Sequence, residues 1–168
     1  MSEPLRLILI TPRRYLQLDS SDLIVFSTKS GEMGIMRHHV PTVVAIVPGP
    51  LRCRLIEGEP GSDEAEWLYG FVSSGFAEVG PDQVTLVVTA AEFADDIDTD
   101  RAGRALERAQ ERVAMSTASE RDKIHGKHAI RRARQRLRVA QLYGGRPGAA
   151  LPAAIAAGDL WERSDPSQ

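Results

Sequence analysis

The sequence predicts a β + α chain: a β-sandwich or barrel over residues 1–93, a helical hairpin over residues 94–145, and a mostly disordered tail over residues 146–168. Three observations carry this. Short apolar runs with period-two alternation fill the first ninety or so residues, broken by turn signals about every ten residues. After Phe93 the apolar spacing changes to three and four, the period of a helix face. The charge changes at the same place: residues 98–138 carry 12 Lys and Arg against 6 Asp and Glu, net +6, while the remainder carries 9 against 17, net −8.

The strands are taken in order. Leu5-Arg6-Leu7-Ile8-Leu9-Ile10 is the first β-type run, and Leu23-Ile24-Val25-Phe26 the second, ended by the turn Lys29-Ser30-Gly31. Val43-Val44-Ala45-Ile46-Val47 stops at Pro48-Gly49-Pro50. Leu51, Cys53 and Leu55 alternate with Arg52 and Arg54, which places the arginines on one face and the apolar groups on the other. Trp67, Tyr69 and Phe71 alternate likewise, as do Val84, Leu86 and Val88. Residues 57–65, with Gly58, Pro60 and Gly61, read as an exposed hairpin loop.

The first helix places Ala102, Leu106, Ala109 and Val113 on one face, with Asp98 as its N-cap. Ser116-Thr117-Ala118-Ser119 is a connector. The second helix places Ile130, Ala133, Leu137 and Ala140 on a stripe and stops at Gly144-Gly145. The stripe is alanine-rich, each buried methyl contributes only about 0.8 kcal/mol, and Gly103 and Gly126 each cost about 1 kcal/mol of helix propensity. A hairpin held so weakly is one that can move. The tail has no clear period, contains Pro147, Pro152 and Pro166, and offers one short helix at residues 153–157.

Composition narrows the function classes. The single Cys53 excludes an internal disulfide and points to a reducing compartment. No stretch approaches the ~18 apolar residues of a membrane-spanning helix, and the first residues lack the charged leader of a signal peptide. There is no phosphate loop, Rossmann fingerprint, CxxC pair, nucleophile elbow or zinc helix. His38-His39 has no third ligand nearby and reads as a surface loop rather than a metal site.

Arginines are the chemistry-bearing residues. Arg101, Arg104, Arg108 and Arg112 run along one side of the first helix, and Arg132 and Arg136 form an i,i+4 pair on the second. Glu107 and Glu111 offset part of the first set, so a solvated face is one reading. Arg101 resists it, because a cation in the first turn opposes the helix dipole. Either Asp98 or a bound phosphate would supply the missing negative charge, and the guanidinium fork suits phosphate oxygens.

Four segments occur in order: Leu9-Ile10-Thr11-Pro12-Arg13-Arg14, Gly31-Glu32-Met33-Gly34-Ile35, Val72-Ser73-Ser74-Gly75-Phe76-Ala77-Glu78-Val79 and Val84-Thr85-Leu86. With Ile97-Asp98-Thr99-Asp100-Arg101-Ala102 and Arg136-Leu137-Arg138-Val139-Ala140, the set resembles the epsilon subunit family of bacterial, proton-translocating F-type ATP synthases (delta in mitochondria), over residues 5–142. The resemblance implies a flattened sandwich of about ten strands with a C-terminal antiparallel helical hairpin. It implies a rotor subunit of the central stalk, not itself a catalyst, set against the gamma subunit and the c-ring during proton-driven ATP synthesis. Attachment to the cytoplasmic face of the bacterial membrane would be peripheral, through the complex. Residues 32–41 match the segment that approaches the ring, with Glu32 and His39 as the contacts; Arg37 and His38 stand where the family usually has Pro-Gly.

In that family the hairpin either folds on the sandwich or extends into the alpha/beta catalytic hexamer and blocks hydrolysis. No cofactor is required, though some relatives bind a regulatory ATP in the folded form. The matching positions are Glu92 and Asp98 for base and ribose, with Arg101, Arg108, Arg132 and Arg136 around the phosphates. Gly126, His125 and His128 depart from the pattern and are expected to loosen the second helix. Two readings of other classes stand beside this one. A nucleic-acid-binding protein would use the basic second helix, but the hairpin lacks stacking aromatics, apart from Tyr143 at its end, and the pI is about 6.1. A free-standing β-sandwich enzyme or sugar-binding module would need a paired-carboxylate site that the sequence does not offer.

Overall fold

The structure, a computed structural model, describes residues 4–56, 66–115, 117–150 and 161–162. The loop expected at 57–65 and the short helix expected at 153–157 lie outside the described residues, as does Ser116 of the connector. Nine strands come first: β1 (Leu5–Ile10), β2 (Arg14–Thr28), β3 (Gly31–Ile35), β4 (Thr42–Ile46), β5 (Gly49–Leu55), β6 (Glu66–Val72), β7 (Gly75–Val79), β8 (Gln83–Val88) and β9 (Ala91–Phe93). A 3-10 turn (Ala94–Asp96) leads to α1 (Thr99–Ala114) and α2 (Glu120–Tyr143), and β10 (Trp161–Glu162) adds a two-residue pairing. The β-sandwich and helical hairpin predicted from periodicity are both present.

The sandwich closes through β2. Its first half pairs with β1, its second half with β5 and β3, and the register shifts between Ser21 and Leu23 where it changes partners. One layer continues from β1 through β8, β7 and β4; the other runs from β2 through β5 and β6 to β9. Alternation then sends one face of each strand inward. Leu5, Leu7 and Leu9 of β1, Ile24 and Phe26 of β2, Leu51, Cys53 and Leu55 of β5 and Val84, Leu86 and Val88 of β8 meet in one core. Burial pushes the Cys53 thiol up to about 12. On the outer face of β5 the arginines are paired: Arg54 donates twice to Asp22, at 2.7 and 2.8 Å, and Arg52 to Glu32 at 2.6 Å.

β6 is buried on both sides, and this positions the hairpin. Leu68 and Val72 face the sandwich core, while Phe71 faces a second, smaller core with Ala94, Ile97, Val139 and Ala149. Among the described residues nineteen form the first core and five the second, so the hairpin is the more weakly held part. α2 carries the contact with β5, β6 and the 3-10 turn, and α1 packs on α2. Val139, which lies off the predicted stripe, is fully buried on the sandwich side.

Asp98 caps α1 by accepting from the Arg101 amide at 2.8 Å, and Ser119 caps α2 in a reciprocal box with Asp122. The Ser119 hydrogen bonds hold the Asp122 carboxyl below the usual carboxylate range. Gly126 does not loosen α2 as the sequence suggested. It is buried where the two helices meet, and a Cβ there would run into Cγ2 of Val113. The absent side chain allows the helices to approach closely, which offsets the propensity cost.

The tail also begins later than the sequence reading placed it. Ala149 is fully buried, the Tyr69 amide donates to the Gly148 carbonyl at 2.9 Å and the Asp95 amide to the Ala149 carbonyl at 2.9 Å. The prolines that argued for disorder do not prevent this, because Gly145 and Gly148 take φ of 71° and 79° and fold the chain back. Farther on, Trp161 and Glu162 pair with Tyr15 and Arg14 of β2.

Candidate functional site

Between the sandwich and the hairpin lies a cleft of about 790 Å³. Its floor is the β1–β2 turn and the segment leading into β9; its walls are α1 and one turn of α2. Glu92, Asp98, Arg101, Arg108 and Arg136, five of the six residues matched to a nucleotide site, line it together. Arg132, partly buried one turn before Arg136, is not part of the lining.

The helix places Arg101 and Arg108 on the same side, seven residues or a rise of about 10 Å apart. Ala102 and Ala105 line the cleft with them, and their short side chains leave the space open. Among the described residues the guanidinium groups of Arg101 and Arg108 form no hydrogen bond or ion pair, so their donors are available to a ligand. Asp98 is committed in part: the Oδ1 that caps the helix supplies some of the negative charge that a first-turn cation needs.

Arg136 is oriented from two sides. Its Nε donates to Glu92 Oε1 at 2.8 Å, and its guanidinium carbon stacks 4.5 Å from the Phe71 ring centroid. A guanidinium has five N–H donors, so this pair leaves others for an incoming anion. The Arg136–Glu92 pair is also the one side-chain ion pair, among the described residues, that ties the hairpin to the sandwich across the cleft.

Sequence reasoning missed two cations of the floor. Arg13 and Arg14 line the cleft from the β1–β2 turn, where the Thr11 hydroxyl accepts from both amides, at 3.2 and 2.8 Å, and fixes the turn. Their signal was present, since Thr-Pro-Arg-Arg is a turn sequence carrying adjacent arginines. Nothing local shows that this turn meets a helix about ninety residues later. The lining holds five arginines against Glu92, Asp96 and Asp98. Such a cleft can bind a polyanion while offering carboxylate acceptors at one end.

The two residues matched to a ring contact stand apart. Glu32, second in β3, pairs with Arg52 and borders a separate hollow of about 280 Å³ against Arg131 and Arg138 of α2. His39 lies beyond the other end of β3, its Nδ1 2.9 Å from the Val40 carbonyl. Beside it His38 adopts φ 62°, a left-handed conformation that glycine takes freely, and its amide donates to the Pro81 carbonyl at 2.6 Å. Met36, Val40 and Val43 around this loop are 58%, 74% and 70% exposed, an apolar surface left open to solvent. Among the described residues no cluster of His, Cys, Asp and Glu could hold a metal, and no helix is long and apolar enough to cross a membrane.

Comparison with known proteins gives a consistent answer. The chain matches the family description "ATP synthase, Delta/Epsilon chain, beta-sandwich domain" over residues 4–94 and "ATP synthase, Delta/Epsilon chain, long alpha-helix domain" over residues 95–141. It is 38% identical to the ATP synthase epsilon chain of Macrococcus caseolyticus over 79% of its own length and 93% of the relative's. The epsilon chain of Syntrophobacter fumaroxidans is 36% identical, covering 84% and 98%, and the chloroplastic one of Triticum aestivum 33%, covering 79% and 91%. In three dimensions it overlays, with a TM-score of 0.62 and 23% identity over 80% of each chain, on a chain of the Euglena gracilis mitochondrial ATP synthase, a likeness of fold. Neither family match extends past residue 141, so the residues that follow α2 stand outside both.

Proposed function

The chain belongs to the delta/epsilon family of ATP synthase subunits, and from that premise we propose that it is a non-catalytic central-stalk subunit whose hairpin is a latch set by ATP in the arginine-lined cleft. The sandwich couples the gamma subunit to the c-ring, the coupling ion being the proton. The hairpin regulates hydrolysis by choosing between the sandwich and the alpha/beta hexamer. Attachment to the cytoplasmic face of the membrane is peripheral and runs through the complex.

The observation that carries the latch is the composition of the cleft wall. Arg101 and Arg108 come from α1, Arg136 and Ala133 from α2, and Glu92 with Arg13 and Arg14 from the sandwich. A triphosphate bound there touches both halves and exists only while the hairpin is folded down. A ligand at about 100 times its dissociation constant stabilises the state that binds it by ~2.7 kcal/mol. That suffices to redistribute two states a few kcal/mol apart, provided that the extended state does not bind. Glu92 and Asp98 serve as acceptors for base and ribose, the arginines hold the phosphates, and Arg132 reaches the ligand only from the cleft's edge.

For the rotor contacts, the apolar residues Met36, Val40 and Val43 beside His39 suit a protein partner better than water. His39 fits the c-ring contact; Glu32 is already paired with Arg52 and borders α2, and would have to exchange that partner to contact the ring. No observation favours the nucleic-acid alternative: the cleft arginines are interleaved with three carboxylates. Calorimetric titration of ATP into the full chain tests the latch. Binding is expected in the wild type and lost in Arg101→Ala combined with Arg136→Ala; no heat at millimolar ATP in the wild type would remove the sensing role. Gel filtration with the purified gamma subunit tests the stalk role, for which a stable complex is expected.

A further inference from the structure

We propose that residues 146–149, which follow α2 after Gly144 and Gly145, are a strap that docks on the open edge of β6 and keeps the hairpin on the sandwich without any ligand. This rests on the hairpin being releasable, not on its binding ATP.

The edge is available because β9 covers only part of it. β9 pairs with Gly70, Phe71 and Val72, and among the described residues no strand pairs on that side with the part of β6 before Gly70. The strap takes that place: the Tyr69 amide donates to the Gly148 carbonyl at 2.9 Å. Asp95 holds both ends of this segment, its amide donating to the Ala149 carbonyl at 2.9 Å and its carboxylate accepting from the amide of Gly145, just before the strap, at 2.7 Å. Ala149 is fully buried in the second core with Phe71 and Val139. The Tyr143 ring, at the end of α2, stacks on Tyr69 with centroids 4.6 Å apart and planes 9° from parallel.

The backbone is shaped for this and for little else. Gly148 has φ 79°, and a Cβ there would fall on the Trp67 carbonyl oxygen. Gly148 and Ala149 lie five and six residues beyond Tyr143, the last residue of α2, a reach of less than about 22 Å even when fully extended. α2 therefore cannot swing away while Gly148 and Ala149 stay bonded. Release must begin at the strap, and anything that lifts it weakens the hold on the hairpin, leaving Val139 and the Arg136–Glu92 pair to keep it in place.

Hydrogen exchange followed by mass spectrometry, on the full chain without nucleotide, tests this with Gly148→Ala. In the wild type the Tyr69 and Asp95 amides are expected to be protected. Losing their acceptors should accelerate both, and should accelerate the α2 peptides about tenfold, since two backbone hydrogen bonds are removed. Peptides from β1, β5 and β8 should not change. A chain ending at Gly145, which removes the strap without adding a Cβ, should behave in the same way. The proposal is overturned if the two amides already exchange freely in the wild type, or if either variant leaves α2 as protected as before. ATP-induced protection of α2 that vanishes in Arg101→Ala plus Arg136→Ala would stand whichever way the strap is decided, so the two readings fail separately.

Discussion

Replacing Val139 by alanine should loosen the hairpin while leaving the sandwich intact. Val139 is fully buried, and its neighbours in the second core are Phe71, Ala94, Ile97 and Ala149. Two methyl groups are lost, each contributing about 0.8 kcal/mol of transfer free energy, and the cavity left behind brings the total to about 2 kcal/mol. A difference of that size is roughly a 30-fold change in the detachment equilibrium. Two readouts separate the two cores. Exchange of α2 amides reports the hairpin. Cys53 reports the sandwich, because it is 2% exposed and its thiol is pushed up to about 12, so a thiol reagent near pH 8 reaches it only when the sandwich opens. The expected result is α2 exchange faster by about 30-fold with Cys53 labelling unchanged. If Cys53 labelling accelerates in step with α2, the two parts open as one unit and the hairpin cannot act as a separate latch.

Two further substitutions test the local geometry. Gly126→Ala should destabilise the helix pair by about 1 kcal/mol in thermal unfolding, because overpacking against Val113 costs ~1–3 kcal/mol and outweighs the ~1 kcal/mol gain in helix propensity; in a Val113→Ala background the sign should reverse. His38→Gly should stabilise the chain by up to about 1.5 kcal/mol, since relief of a left-handed conformation is worth ~1–2 kcal/mol and glycine's extra freedom when unfolded takes back ~0.5–1 kcal/mol. A lower melting temperature instead would assign the His38 side chain a stabilising contact.

Much of the architecture was legible because periodicity is a local property. β1 has the bounds that its apolar run suggested, and α1 buries Ala102 and Ala109 of the expected stripe. What was not legible depends on partners distant in sequence. β2 begins at Arg14, well before the apolar run at residues 23–26 that marked it, and Ser21 lies where the strand passes from one layer to the other. β3 and β7 are short and glycine-bearing, and only their neighbours make them strands. α2 has two buried sides; the single stripe sought in its sequence included the buried Ala133 and, through Ala140, one edge of the second core, but not Gly126 or Val139. The cleft follows the same rule. Its helical arginines were visible as a spaced set, whereas Arg13 and Arg14 belong to it only because the fold brings the β1–β2 turn beneath α1. Gly126 was read from propensity alone, and Gly148 carried no signal, because both are required by close approaches to distant residues, Val113 and Trp67.

The parallel pairing of β1 with β8, Arg6 opposite Gln83 through Ile10 opposite Val87, sets a schedule for synthesis on the ribosome. β1 can join β2 as soon as both have emerged, but its other edge has no partner until β8 follows. At about 5–20 residues per second that interval is roughly 4–15 s. During it Leu5, Leu7 and Leu9 lack half of the layer that will bury them, which makes the nascent chain a substrate for holding chaperones and slows closure through high contact order. The hairpin, made after β1–β9, closes over a core whose nineteen described members have all been synthesised.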